Sequence, residues 1–196
     1  MKINRLALRL CMCALVLLRA LSLYADGKDS LSRKMIHMAG IDVKPAYVFP
    51  THEFFAGNNA TFSPIRKNLS VHLKYGFKFA PDTYFGRMYP HAVQGIGVGY
   101  NTFFHSSELG NPWSVYAFQT SRIASLTPRL SLDYEWNFGA SFGWKKYDAE
   151  SNPYNRVVGS KMNAYIHLSF LLNWQLDAQT NLRAGIGATH FSNGNT

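Results

Sequence analysis

The sequence predicts an all-β chain: an antiparallel β-barrel that crosses a membrane on its strands. Three observations predict it. Hydrophobicity repeats every second residue almost everywhere after Gly40, the repeating face is rich in aromatic side chains, and the amino-terminus has the layout of an export signal. Alternation of this kind places successive side chains on opposite faces of a strand. Phe, Trp and Tyr make up 15% of the chain. After the signal, no apolar run approaches the roughly 20 residues that a membrane helix needs. A chain without such a helix can still span a bilayer as a barrel, because closure gives every backbone N–H and C=O a partner.

The first element is the export signal. Lys2, Arg5 and Arg9 open the chain, a mostly apolar run over 6–23 follows, and small residues offer cleavage after Ser22 or after Ala25. That is the order of a secretory signal peptide, assigned to residues 1–25. It leaves 26–196 as one barrel domain. A transmembrane anchor is the competing reading, and Arg9 and Arg19 interrupt the run too often for it. Cys11 and Cys13 lie inside the apolar run. The exported domain is therefore expected to carry no cysteine, no disulfide and no thiol chemistry. Losing the four cations Lys2, Arg5, Arg9 and Arg19 lowers the formal charge from +9 to +5. The remaining positive residues are scattered, with no basic helix or run, which speaks against nucleic acid as a partner. A modest positive balance suits an anionic lipid surface and an ordinary solvated surface alike.

The strands follow in order. A first is expected over 41–49. A second, over 70–79, sets Val71, Leu73, Tyr75, Phe77 and Phe79 against Ser70, His72, Lys74, Gly76 and Lys78. Over 93–104, Ile96, Val98, Tyr100 and Phe104 oppose Gly95, Gly97, Gly99 and Asn101. The glycine alternation there could be mistaken for a nucleotide-binding loop, but its period of two and the lack of a following helix mark a small inward face. A fourth strand is expected over 113–123. The clearest runs over 130–144: Leu130, Leu132, Tyr134, Trp136, Phe138, Ala140, Phe142 and Trp144 share one parity, and Ser131, Asp133, Glu135, Asn137, Gly139, Ser141 and Gly143 the other. The sixth, over 161–176, opposes Met162, Ala164, Ile166, Leu168, Phe170, Leu172 and Trp174 to Asn163, His167, Ser169, Asn173 and Gln175, with Tyr165 and Leu171 on the polar side. The seventh, over 181–192, sets Leu182, Ala184, Ile186 and Ala188 against Asn181, Arg183, Gly185 and Gly187.

A soluble sandwich also alternates, with its apolar side in the core. Strand length and the Gly, Ser, Asn and single charges of the other face favour an apolar outside around a narrow polar interior. Long connections at 51–69 and 145–159, with short ones at 124–128 and 177–180, put the long loops outside the cell and the turns in the periplasm. The longish 80–92 connection on the periplasmic side fits this less well. About seven strands are present, whereas bacterial barrels normally have an even number, eight at least. The sequence is therefore expected to be one strand short, with an unpaired edge beside the first strand.

The seventh strand carries the candidate chemistry. Its apolar parity continues onto His190 and Ser192. Neighbours on one face of a strand lie about 7 Å apart at a rise of ~3.3 Å per residue. With a tilt near 40°, His190 stands roughly 23 Å above Asn181, against an apolar band of ~25 Å. The pair is thus expected at the outer edge of that band. An imidazole can take a proton from a serine hydroxyl, which then attacks a carbonyl carbon. Asn193, by side chain or backbone N–H, could donate to the resulting oxyanion. Gly194 would let a substrate approach the backbone closely. Polar residues in an interfacial rim are the bland reading of the same pattern. His52, His72, His91, His105 and His167 show no metal-ligand spacing, so no metal and no cofactor are expected.

Thr189-His190-Phe191-Ser192-Asn193-Gly194 resembles the His-x-Ser-Asn signature of PagL-type lipid A 3-O-deacylases. Upstream, Tyr89-Pro90, Gln94 to Gly97, Asn101 to Phe104, Gly110-Asn111-Pro112, Asp133 to Gly139, Gly143-Trp144 and Asn163-Ala164-Tyr165 resemble the related acyloxyacyl hydrolases of Bacteroidetes-type bacteria. The resemblance implies an eight-stranded outer-membrane barrel that cleaves an ester-linked acyl chain from the lipid A of lipopolysaccharide in the outer leaflet. It makes His190 the base, Ser192 the nucleophile and Asn193 an oxyanion-hole candidate. The acidic member of its triad would follow the serine, beyond Thr196. Glu135 has inward parity, and Glu53, Glu108 and Glu150 fall in loops, so the chain as given is expected to hold two of three members and to be nearly inactive. The competing class is a non-catalytic structural or binding barrel of the OmpA or OmpW kind. A wide porin is disfavoured because about eight strands leave an interior filled by side chains. A calcium-dependent phospholipase barrel is disfavoured because no acidic cluster suggests a calcium site.

Overall fold

The computed structural model describes residues 34–192. The segment 1–25, with Cys11 and Cys13, and the candidate residues Asn193 and Gly194 lie outside the described residues. Seven strands follow in order: β1 (Met35–Tyr47), β2 (Lys67–Phe79), β3 (Val93–Thr102), β4 (Gly110–Ser125), β5 (Leu130–Trp144), β6 (Met162–Gln175) and β7 (Asn181–Ser192). They form one antiparallel sheet in sequence order, each strand paired with the next. Two short helices, α1 (Glu53–Ala56) and α2 (Tyr84–Met88), sit in connections. β1 and β7 are the sheet's edges, so among the described residues the sheet is a curled half-barrel.

The expected alternation holds, with corrections at strand ends. Among them is Trp144: parity put it on the outward row, but Gly143 has φ of 89° and Trp144 is buried on the inner side. β1 begins at Met35 and ends at Tyr47, not over 41–49. It tolerates Pro45 because an edge strand has one side on which the missing N–H costs nothing. β3 stops at Thr102. Phe104, assigned to its apolar row, has φ of 60° and has left the strand, since a left-handed residue cannot continue an extended ladder. β2 starts three residues earlier than expected, at Lys67. β4 is longer than 113–123 because a register shift between Gly110 and Trp113 absorbs Asn111 and Pro112. A bulge is where an internal strand can accommodate a proline.

The two faces differ as the parity requires. Trp136, Phe138 and Phe170 are exposed on the convex side, while Glu135, Asn137 and His167 are buried on the concave side. Trp136 and Phe170 are therefore not packed in a two-sheet core. Outward aromatics gather toward both ends. Tyr100, Trp113 and Phe142 lie side by side in successive ladders at one end, and Tyr134 faces Phe170 toward the other. The inward glycines of β3 make room for rings. A Cβ on Gly97 would lie 2.4 Å from the Tyr116 ring, and one on Gly99 2.3 Å from His72.

Antiparallel order puts the connections 48–66, 103–109 and 145–161 at one end, with Ser192. They are less polar than expected from sequence. Phe54 of α1, Ile65, Phe103, Leu109, Trp144 and Val158 form a buried apolar cluster there, which we call the loop cap. Its polar joints are well made. The Asp148 carboxylate accepts from Ser151 N–H, from the Ser151 hydroxyl and from Glu150 N–H. These donors hold its pKa below the usual aspartate range.

Candidate active site

β7 is positioned by a twelve-pair ladder with β6, which runs from Gln175↔Asn181 to Ala164↔Ser192. The inward residues fix which way the others face. The Thr189 hydroxyl lies 2.8 Å from His167 Nδ1 on the concave side. Phe191 also turns inward, with its ring 4.9 Å from Trp144, 5.6 Å from Tyr165 and 6.3 Å from Phe103. His190 and Ser192 flank Phe191 in sequence and take the opposite, convex face. His190 is exposed and Ser192 half-buried. Their ladder partners are Ile166 and Ala164, both of the apolar convex row, and Ile186 below them is 80% exposed. The structure thus brings His190 and Ser192 to one face, at the loop-cap end of β7.

The acidic side chains are engaged elsewhere. Glu135, 1% exposed, accepts from Lys74 Nζ at 2.5 Å, from the Thr120 hydroxyl at 3.0 Å and from Arg183 at 3.3 Å. Glu108 Oε1 accepts from Ala60 N–H at 2.8 Å inside the loop cap. Glu53 accepts from Asn58 Nδ2 at 3.4 Å, and Glu150 is exposed in its loop. Among the described residues, no group of three His, Asp or Glu side chains is arranged to hold a metal ion.

Sequence reasoning missed the interior network. Lys74 pairs with both Asp42 and Glu135, and Arg183 with the same two carboxylates at 3.3 Å each. The four side chains close a ring that joins β1, β2, β5 and β7 across the concave side. Lys74 Nζ also stands 5.2 Å from the centre of the Phe118 ring, a favourable cation–π position. Lys44 Nζ reaches His167 Nε2 at 3.3 Å. Parity marks each of these residues as inward, but which of them meet depends on the curl.

On its convex face the chain presents a largely apolar surface, on which His190 and Ser192 stand at the loop-cap end of β7 and His37, Gln94 and Gln119 stand elsewhere. Comparison with family models, with curated proteins and with solved structures finds no match to this chain.

Proposed function

We propose that this chain is the barrel of an outer-membrane esterase that removes an ester-linked acyl chain from lipid A, with Ser192 as nucleophile and His190 as general base. One observation carries the reading: His190 and Ser192 share the convex, largely apolar face of β7 at the loop-cap end, alternating with inward Thr189 and Phe191. The rest of their row on β7, Leu182, Ala184, Ile186 and Ala188, is apolar, so the two polar side chains stand together at its end. The aromatic residues near both ends of the convex face suit the two interfaces of a bilayer. The filled, charged interior suits a small barrel rather than a wide channel.

The chemistry follows from that placement. An acyl chain of an outer-leaflet lipid lies along the convex face, and its ester carbonyl stands at headgroup depth. His190 accepts the Ser192 proton as the oxygen attacks the carbonyl carbon, then returns it to the departing alkoxide. Water hydrolyses the acyl-serine by the same route. By resemblance, Asn193 and Gly194 border the oxyanion, and a glutamate following the serine orients the imidazole.

In the full-length protein, Ser192→Ala is expected to abolish fatty-acid release from purified lipid A and to leave folding intact, because an outward hydroxyl fills no core. Removing one oxyanion donor in Asn193→Ala is expected to cost on the order of 100- to 1000-fold. Heat-modifiable gel mobility reports the fold. A Ser192→Ala protein that folds and releases fatty acid at the parent rate would leave a structural or binding barrel as the better reading.

A further inference from the structure

We infer that the loop cap binds a divalent cation of the calcium type, with Glu108 as its charged ligand. Glu108 joins all three connections of the cap. Its Oε1 accepts from Ala60 N–H of the first at 2.8 Å. Its main-chain oxygen accepts from Asn152 Nδ2 and Asn155 Nδ2 of the third, at 2.9 and 2.8 Å. The residue is 4% exposed, and its second carboxylate oxygen, Oε2, is buried with no hydrogen-bond partner. Of the cap's cations, Lys145 donates to Ser107 O at 3.0 Å and Arg66 to Phe55 O at 3.0 Å. Among the described residues Glu108 has no ion pair. A buried carboxylate without a compensating charge is among the costliest groups a fold can carry.

A second, independent observation adds further bare oxygens to the same end of the molecule. Asn155 is 0% exposed, and its Oδ1 is also buried without a partner. Its amide orientation is not open to exchange. Nδ2 donates to two main-chain oxygens, of Glu108 at 2.8 Å and of Lys145 at 2.9 Å, so the oxygen end is fixed by the nitrogen end. Asn111 Oδ1, three residues along the chain from Glu108, is a third buried oxygen without a partner. Carboxylate and amide oxygens are the donor set of a hard cation, and calcium accepts irregular sets of six to eight oxygens. With one carboxylate, the affinity belongs at the weak end, on the order of 10⁻⁴–10⁻³ M, as in extracellular calcium modules.

The position has a consequence for β7. The cap rests on Trp144, Trp144 packs on Phe191, and Phe191 lies between His190 and Ser192. A cation that fastens the three connections therefore steadies the end of β7. That last link rests on the esterase reading, whereas the cation site does not.

The test uses the full chain refolded in an uncharged detergent, so that no anionic headgroup supplies ligands, with Ca²⁺ alone as the probe. Calorimetric titration is expected to show one site. Calcium is expected to slow amide exchange at least tenfold within 48–66, 103–109 and 145–161, with the strands unchanged. Glu108→Gln keeps an acceptor for Ala60 and removes the charge. It is expected to abolish the titration and yet, in EDTA, to melt no lower than the parent. Parent protein in which calcium binds nowhere and protects none of the three connections overturns the site. Equal calcium binding by parent and Glu108→Gln overturns it too. If calcium binds but lipid A is never cleaved, the site stands and only the esterase reading fails.

Discussion

Glu135 and Trp136 are neighbours in the chain and obey opposite rules. Glu135 is 1% exposed, in a ring of four charges, with each carboxylate oxygen met by a donor. Trp136 is exposed, on a face whose large side chains are almost all apolar. A water-soluble protein reverses this arrangement. The difference teaches that the concave face holds the fold by specific pairing, while the convex face exposes apolar side chains that make few specific pairs, as the proposed membrane reading requires. Specific pairing is sensitive to the loss of one group. A generic apolar face is sensitive only to polarity.

Substitutions can break or sharpen that contrast. The largest effect is expected for Lys74→Met, which removes the ammonium shared by Asp42 and Glu135. Breaking one partner out of a buried ion set costs on the order of 3 kcal/mol. Urea titration of the refolded protein measures it, with Lys78→Met, at the end of the same strand, moving the midpoint little. Equal midpoints for the two variants would mean that the ring is decoration. Next is Phe138→Arg on the convex face. If lipid covers that face, an arginine near the bilayer centre costs about 2–4 kcal/mol of folding into vesicles. If water covers it, a residue already 60% exposed tolerates the charge, and the membrane reading fails. The smallest effect is expected for Gly97→Ala, about 1–3 kcal/mol by overpacking, because the new methyl meets the Tyr116 ring. Ala188→Val on the convex face adds more volume and is expected to change the same urea midpoint by less.

The parts of this architecture that were legible in the sequence are those that depend on parity alone. β5 could be read as far as Phe142, and the convex placement of His190 and Ser192 follows from the phase of Ile186 and Ala188. Trp144, read as the last member of the outward row, turns inward because the left-handed Gly143 breaks the alternation. Strand ends were less legible. The edge position of β1 permits Pro45 inside the strand, and the bulge that lets β4 begin at Gly110 and pass Pro112 has no period in the sequence to mark it. The partners of Glu135 were hidden for a different reason. Lys74 is 61 residues away in sequence, and its arrival depends on how the sheet curls. The loop cap was hidden because Phe54, Ile65 and Leu109 are scattered among polar loop residues with no period to betray them. Nothing local marks Glu108 as buried, since its burial is the joint work of three separate connections.

Arg183 and Asp42 are 141 residues apart in sequence, and this bears on how the molecule assembles. Every ladder joins consecutive strands, so each closes over its own connection and none needs a strand distant in sequence. The ladders can therefore zip in sequence without any decision about shape. The curl is fastened by charges from the first strand meeting charges from the fifth and the last, a meeting that loop-closure entropy opposes and that is expected to come late. Charge complementarity acts here as a clasp on an already woven band. Weakening the clasp should leave the weaving rate alone and quicken the unrolling, which is the kinetic signature of contacts made after the transition state.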